Sequence, residues 1–162
     1  MITILTNHGN IIVDLFEETA PISTENFMQY VTDDFYTGTI FHRVISNFMI
    51  QGGGMTADMN KKETRAPIKN EAINGAKNLR GTLAMARISE IDSATCQFFI
   101  NLSDNAFLNH GVHDFGYAVF GRVTDGMNVV DVIAKVATGS VGGHQNVPLE
   151  PVTILKICQD ED

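Results

Sequence analysis

Arg43 and Gln51 stand inside the segment FHRVISNFMIQGGG, Phe41 to Gly54, among more hydrophobic neighbours than a surface hairpin needs. Further along, CQFFIN (Cys96–Asn101) sets Gln97 beside two phenylalanines, and a later segment brings Phe107 and Leu108. The set Arg43, Phe48, Met49, Gln51, Gln97, Phe99, Phe107 and Leu108 contains no nucleophile, no base titrating near neutrality and no handle for a cofactor. It suits a reaction in which no bond is cleaved, on an apolar substrate with one polar group to hold. The plainer reading of the same residues is core packing with one surface arginine.

Other chemistries find less support. Gly52-Gly53-Gly54 lacks the Gly-Lys-Ser/Thr ending of a phosphate-binding loop and opens no helical pattern. No Gly-x-Ser-x-Gly elbow is present. His110 and His113 lie three apart, but Gly111 between them favours a loop and neither cysteine is near, so no metal is assigned. His42 neighbours Arg43 in a strand pattern and is expected on the opposite face, as a hydrogen-bonded core histidine.

The elements that must position these residues read as follows. Ile2–Thr6 and Ile11–Phe16 flank Asn7-His8-Gly9-Asn10, a hairpin signal. Pro21 opens a helix with Phe27, Tyr30, Val31 and Asp34 facing inward and Thr24, Glu25 and Gln29 facing water, stopping near Tyr36-Thr37-Gly38. The Phe41–Gly52 hairpin turns at Ser46-Asn47. Residues 53–80 read as a long, solvated, basic loop. Strand texture returns at Gly81–Ala86, Cys96–Asn101 and Tyr117–Val123. A second helix starts with Asp125 as N-cap and turns Met127, Val130, Ile133 and Ala134 to one side. Pro151–Ile157 forms the last strand. Many short strands with two helices argue for an antiparallel barrel or sandwich.

At 162 residues and 44% hydrophobic, the chain is expected to form one domain over residues 1–162. A net charge of −8 argues against nucleic acid or an anionic membrane as partner. Met1–Leu5 passes straight into a polar turn, and no apolar run approaches the ~20 residues of a bilayer span, so a soluble, cytoplasmic monomer is expected. Cys96 and Cys158 read as inert thiols in a reducing compartment.

FHRVISNFMIQGGG, GTLAMAR, SATCQFFINL and FGYAVFGRV, in that order, resemble the signature segments of the cyclophilins, the cyclosporin-sensitive peptidyl-prolyl cis/trans isomerases. The resemblance covers almost the whole chain and is nearest the bacterial single-domain form. It implies a mainly β fold, a closed eight-stranded antiparallel β-barrel capped by two α-helices, and catalysis of rotation about X-Pro bonds during protein folding, without a cofactor. It implies Arg43 as the catalytic donor, oriented by Gln51, and Phe48, Met49, Phe99 and Leu108 as the pocket for the proline ring. Ala86, Gln97 and the main chain of Arg87 would contact the substrate peptide. Phe48 can share one groove with Met49 and Gln51 only through a bulge or strong twist near it.

Three positions depart from the commonest family pattern. Arg87 replaces asparagine, Phe107 replaces tryptophan and Tyr117 replaces histidine. The last two alter the groove wall, so cyclosporin is expected to bind weakly, because phenylalanine lacks the indole N–H. The partners implied are proline-containing peptides and unfolded chains. A binding module without turnover and a holding chaperone are the rival functions.

Overall fold

The computed structural model describes residues 1–159. Its ten strands are β1 (Ile2–Thr6), β2 (Gly9–Leu15), β3 (Arg43–Ile45), β4 (Met49–Gly52), β5 (Thr82–Met85), β6 (Phe98–Asn101), β7 (Val119–Asp125), β8 (Thr138–Val141), β9 (His144–Pro148) and β10 (Ile154–Gln159). Two helices, α1 (Pro21–Thr32) and α2 (Met127–Ile133), and two 3₁₀ turns, Ala72–Asn74 and Ala106–Leu108, complete the elements. Eight strands form one antiparallel sheet in the order β10-β1-β2-β7-β5-β6-β4-β3.

The sheet curls until its two ends meet, but no ladder joins β3 to β10. The seam is a single bridge, Ile40 opposite Thr153, just ahead of both strands. There the Phe41 N–H donates to the Val152 carbonyl at 2.9 Å and the Ile154 N–H to the Thr39 carbonyl at 2.8 Å. With the Gly38 N–H donating to the Ile154 carbonyl at 2.9 Å, the expected barrel is closed along this edge by a short run of main-chain bonds rather than by a ladder among the described residues.

Inside it, Phe27, Tyr36, Phe41, Phe98 and Phe120 are all at most 1% exposed and pack with ring centroids 5.3–6.0 Å apart. α1 lies against β10 and β7, and α2 against β2.

α1 stops at Thr32, short of the expected Tyr36–Gly38, because Asp34 takes the left-handed conformation (φ 55°) and turns away as an exposed residue. Its inner face also differs from expectation: Thr24 is buried, with Ser23 and Asn26 beside Phe27 and Tyr30. Ser23 and Asn26 are tolerated on this face because packing loops answer them, while the buried Thr24 hydroxyl has no hydrogen-bond partner among the described residues. The Asn26 amide donates to the Thr95 carbonyl at 2.6 Å. The Glu71 carboxylate accepts the Ile22 and Ser23 N–H groups at 3.2 and 2.6 Å, capping the helix from another part of the chain.

At the second helix Asp125 is the last residue of β7, not the cap. Gly126 is the cap, at φ 91°, and a Cβ there would lie 2.4 Å from the Asn10 carbonyl oxygen, so only glycine fits. Residues 53–80 are fastened rather than freely solvated. Bridges tie Thr56 to Thr39, Met55 to Lys61 and Ile68 to Ala94. Among the loop's cations, Arg80 pairs with Asp131 at 2.7 Å and Arg65 with Asp33. β8 and β9 form a separate, largely exposed ribbon that no sequence pattern announced.

Candidate active site

Strand alternation explains why the Phe41–Gly54 segment is apolar on both sides. Val44, Ile50, Leu83, Met85, Phe98 and Ile100 face the barrel core. Their neighbours Met49, Ala84 and Phe99 form a second cluster on the outer surface, with Ala86, Leu108 and Val119. On that outer side the register sets Arg43 opposite Gln51, Gln51 opposite Phe99, and Phe99 opposite Ala84.

Arg43 is exposed at the start of β3, and its Nη1 donates to Gln51 Oε1 at 3.3 Å. Gln51 Nε2 donates onward to Gln97 Oε1 at 2.9 Å. Gly54 makes this relay possible: a Cβ there would stand 2.5 Å from Gln97 Cγ.

A cavity of about 410 Å³ opens beside the relay, lined by Arg43, Phe48, Met49, Gln51, Ala86, Arg87, Phe99, Phe107, Leu108 and Tyr117. His113 and Asp114 also line it; neither had been singled out as a contact residue. The structure thus brings ten of the expected site residues around one opening. Gln97 lies instead on an adjoining cavity of about 400 Å³, which shares Gln51, Ala86 and Arg87 with the first and also holds Lys61, Lys62 and His42.

Phe48 joins this wall without the expected bulge. β4 begins only at Met49, so Phe48 belongs to the three-residue loop Ser46–Phe48, where Asn47 takes φ 64°. Freed from strand alternation, its ring stacks 5.6 Å from that of Phe107.

The Arg87 side chain turns away from solvent and is 3% exposed. Its Nε and Nη2 donate to the Gly116 carbonyl at 3.2 and 3.0 Å, its Nη1 to the Ile88 carbonyl at 2.9 Å, and Nη2 meets Asp114 Oδ2 at 3.2 Å. The guanidinium lies 4.4 Å over the Tyr117 ring, whose edge meets Phe99 at 5.7 Å. The Gly116 N–H, bonded to the Asp114 carboxylate, and then the Arg87 charge hold that carboxyl below its usual range.

His42 is buried, but its Nδ1 has no hydrogen-bond partner among the described residues, unlike the hydrogen-bonded histidine expected. It also precedes β3 rather than lying in it. Burial, then the charges of His144, Arg43 and Lys61, push its pKa down to about 4. Between about pH 6.5 and 4 the unfolded chain binds a proton that the folded one refuses, so stability rises with pH across that window. The contribution is complete above about pH 6.5 and amounts to about 3 kcal/mol at most. Denaturant titrations at pH 7 and pH 4.5 are expected to differ clearly for the wild type and much less for His42→Phe. An equal loss in both proteins would clear His42 of this role.

His110 spends its Nδ1 on the Phe115 carbonyl at 2.6 Å. Among the described residues no three potential ligating side chains gather for a metal. Cys96 is buried and its thiol is pushed up by desolvation; Cys158 is half-buried, and neither is in a disulfide.

Comparison with known proteins places this geometry in a family. The family described as "Cyclophilin type peptidyl-prolyl cis-trans isomerase/CLD" matches residues 1–159. The chain is 54% identical to peptidyl-prolyl cis-trans isomerase B of Escherichia coli (strain K12), covering 99% of this chain and 100% of that protein. It is 60% identical to a peptidyl-prolyl cis-trans isomerase of Acinetobacter baylyi, covering 97% and 84%. A crystal structure of a Cryptosporidium parvum cyclophilin type isomerase, in the presence of the dipeptide Ala-Pro, superposes with a TM-score of 0.81 at 26% identity, over 99% of both chains. The chain belongs to the cyclophilin-type peptidyl-prolyl cis/trans isomerases.

Proposed function

We propose that the chain accelerates rotation about X-Pro peptide bonds and that the cavity beside Arg43 is where it does so. The observation that carries the reading is a guanidinium with donors to spare at the mouth of an apolar cavity. Arg43 gives one hydrogen bond to Gln51 and has no carboxylate partner among the described residues. Rotation about a peptide C–N bond must break amide resonance, against a barrier of ~18–20 kcal/mol. As the bond twists, the proline nitrogen recovers its lone pair and pyramidalises. A donor aimed at that nitrogen gains more in the twisted state than in the planar one, which is what lowers the barrier. Arginine remains protonated and offers a fork, so one arm holds the proline carbonyl while the other addresses the nitrogen.

Phe48, Met49, Phe99 and Leu108 hold the proline ring in this reading, with Phe107 and Tyr117 as outer walls. Gln51 keeps the guanidinium aimed and, with Gln97, Ala86 and the Arg87 main chain, contacts the peptide ahead of the proline. No covalent intermediate and no cofactor is involved. The chain works as one domain and a cytoplasmic monomer, on proline-containing peptides and unfolded proteins rather than nucleic acid or membranes. Its net charge of −8 supports this, and no helix among the described residues is long and apolar enough to cross a membrane.

A proline-switch assay on a tetrapeptide tests the reading. Exchange should accelerate at enzyme concentrations far below that of the peptide; a requirement for stoichiometric protein would turn the reading into a binder or a holding chaperone. The rate should also be flat from about pH 6 to 8, because arginine does not titrate there and His42 is already neutral. A sigmoid centred near ~6.5 would instead bring a histidine into the reaction.

Cyclosporin binds weakly in this reading. Phe107 keeps an aromatic wall but offers no donor, and a hydrogen bond contributes a net ~0.5–1.5 kcal/mol. Phe107 is 50% exposed, so water partly replaces the lost donor and the penalty falls at the lower end of roughly 10- to 100-fold. Calorimetry should show Phe107→Trp tightening the drug by about tenfold while turnover changes little. Equal affinities in the two proteins would remove this position from drug recognition.

A further inference from the structure

An asparagine at the end of a fully buried strand is an expensive choice, because its amide must find partners away from water. Asn101 ends β6 at 0% exposure, and Asn78 and Asn105, at 1% and 6%, lie against it. The three side chains form one hydrogen-bonded network. Asn101 Nδ2 donates to Asn78 Oδ1 and to Thr82 Oγ1, both at 3.0 Å, and Asn101 Oδ1 accepts from Asn105 Nδ2 at 2.8 Å. The outer ends of the network reach main-chain carbonyls. Asn105 Nδ2 donates to the Phe48 carbonyl at 2.9 Å, and Asn78 Nδ2 shares its protons among Asn109 Oδ1 at 3.2 Å and the carbonyls of Leu108 and Tyr117 at 3.3 and 3.4 Å. Carbonyls only accept, so the two outer amides must present their NH₂ groups outward, and this fixes the direction of the whole relay.

Those three carbonyls have something in common. Phe48 sits in the β3–β4 loop, Leu108 in a 3₁₀ turn and Tyr117 ahead of β7, outside the named strands. One main-chain bond joins the Tyr117 N–H to the Leu108 carbonyl at 3.0 Å and another joins the Leu102 N–H to the Phe48 carbonyl at 2.9 Å, but the side-chain link between the Phe48 side and the Leu108–Tyr117 side runs through the asparagine amides. Yet the three side chains are walls of the same cavity. Arg43 and Gln51 are placed independently, by the β3–β4 register, and touch none of the asparagines.

We infer that Asn101, Asn105 and Asn78 are positioning residues that set the width of the proline pocket from behind, and so govern substrate affinity rather than the rotation step. This rests on the reading that the cavity holds the proline ring. Asn101→Leu keeps the side-chain shape and removes the hub. Its KM for a proline tetrapeptide should rise roughly tenfold, the worth of about one hydrogen bond, with kcat within about threefold of wild type. Asn105→Ala, which cuts the Phe48 arm and the bond to Asn101 Oδ1 but leaves the strand intact, is the milder companion, and Asn105→Ser, which restores a donor, should recover part of the loss. In amide NMR spectra Asn101→Leu should shift the resonances of Phe48, Leu108 and Tyr117 while leaving those of Arg43 and Gln51 near their wild-type places. Asn105→Ala should move Phe48 alone of the three.

Folded variants with KM within twofold of wild type would overturn the inference, even if they melt earlier, because the amides would then serve stability only. Should Asn101→Leu fail to fold, the Asn105 pair decides the matter on the same criteria. If the wild type itself shows no turnover, the isomerase reading fails. The NMR comparison still judges the network then, and unmoved Phe48, Leu108 and Tyr117 resonances would count against it.

Discussion

Arg43→Ala is expected to melt with the wild-type protein and to lose about 10²–10³ in kcat/KM, the cost of removing one preorganised donor to a transition state, ~2.7–4 kcal/mol. The two halves of this result have separate causes. Arg43 is an exposed residue whose single hydrogen bond, to Gln51, is 3.3 Å long, so its removal opens no cavity and strands no buried charge. Surface changes of that kind usually stay within about 0.5 kcal/mol of wild type. The kinetic half follows because Arg43 is the cavity-lining guanidinium whose donors are largely unspent, while that of Arg87 is bonded to the Gly116 and Ile88 carbonyls and to Asp114. Arg43→Lys should fall between the two proteins, since it keeps the charge but not the fork. The checks are a thermal melt and exchange catalysis on one preparation, and a folded Arg43→Ala protein with a near-normal rate would sink the mechanism.

Phe98→Ala should produce the opposite profile, a loss of about 3–5 kcal/mol in stability. Phe98 is 0% exposed and meets Phe27, Tyr36 and Phe41 nearly edge-on, at 5.5, 5.7 and 6.0 Å. Edge-to-face pairs add to the area that the ring buries. A domain holds only about 5–15 kcal/mol in all, so the variant should lie close to its unfolding threshold. Urea titration would show a much lower midpoint with little change in slope, and the fraction that remains folded in the cold should still turn over, because Phe98 faces inward and Phe99, the next residue, faces the cavity. A loss below about 1 kcal/mol would mean that the aromatic core is not organised around this ring.

What the sequence disclosed, and what it hid, follows from the range of the forces involved. The first hairpin was readable because strand alternation and tight turns are local, whereas the Arg43–Gln51 pairing came from family resemblance, a two-residue Ser46-Asn47 turn having set Arg43 opposite Ile50 instead. The Phe48 position was not readable, since a loop at Ser46–Phe48 and a bulged strand predict the same composition. Glu71 capping Ser23 was invisible, because a carboxylate 48 residues from its helix leaves no local signal. Asp125 looked like a cap by residue type, but the close approach of Asn10 decided the position in favour of Gly126. The β8–β9 ribbon escaped because most of its residues face water, and without a buried face there is no alternation to read. At the site itself, the residue types pointed to a reaction without bond cleavage, and family resemblance supplied the roles. The inward course of Arg87 and the asparagine network behind the pocket depended on partners brought in from distant segments.

The seam of the barrel also says when this chain can fold. β1 pairs with β2 on one side and β10 on the other, with Ile2 opposite both Val13 and Gln159. During synthesis β1 thus acquires one neighbour soon after it is made and must wait for the other until nearly all of the described chain has followed. Until then β1 presents a bare row of backbone donors and acceptors, the kind of edge that recruits foreign strands. The Ile40–Thr153 bridge adds a second contact of the same long reach. Folding dominated by such distant pairings is slow, on the order of milliseconds to seconds. The edge that closes the sheet is therefore also the one that stays open longest while the chain is being made.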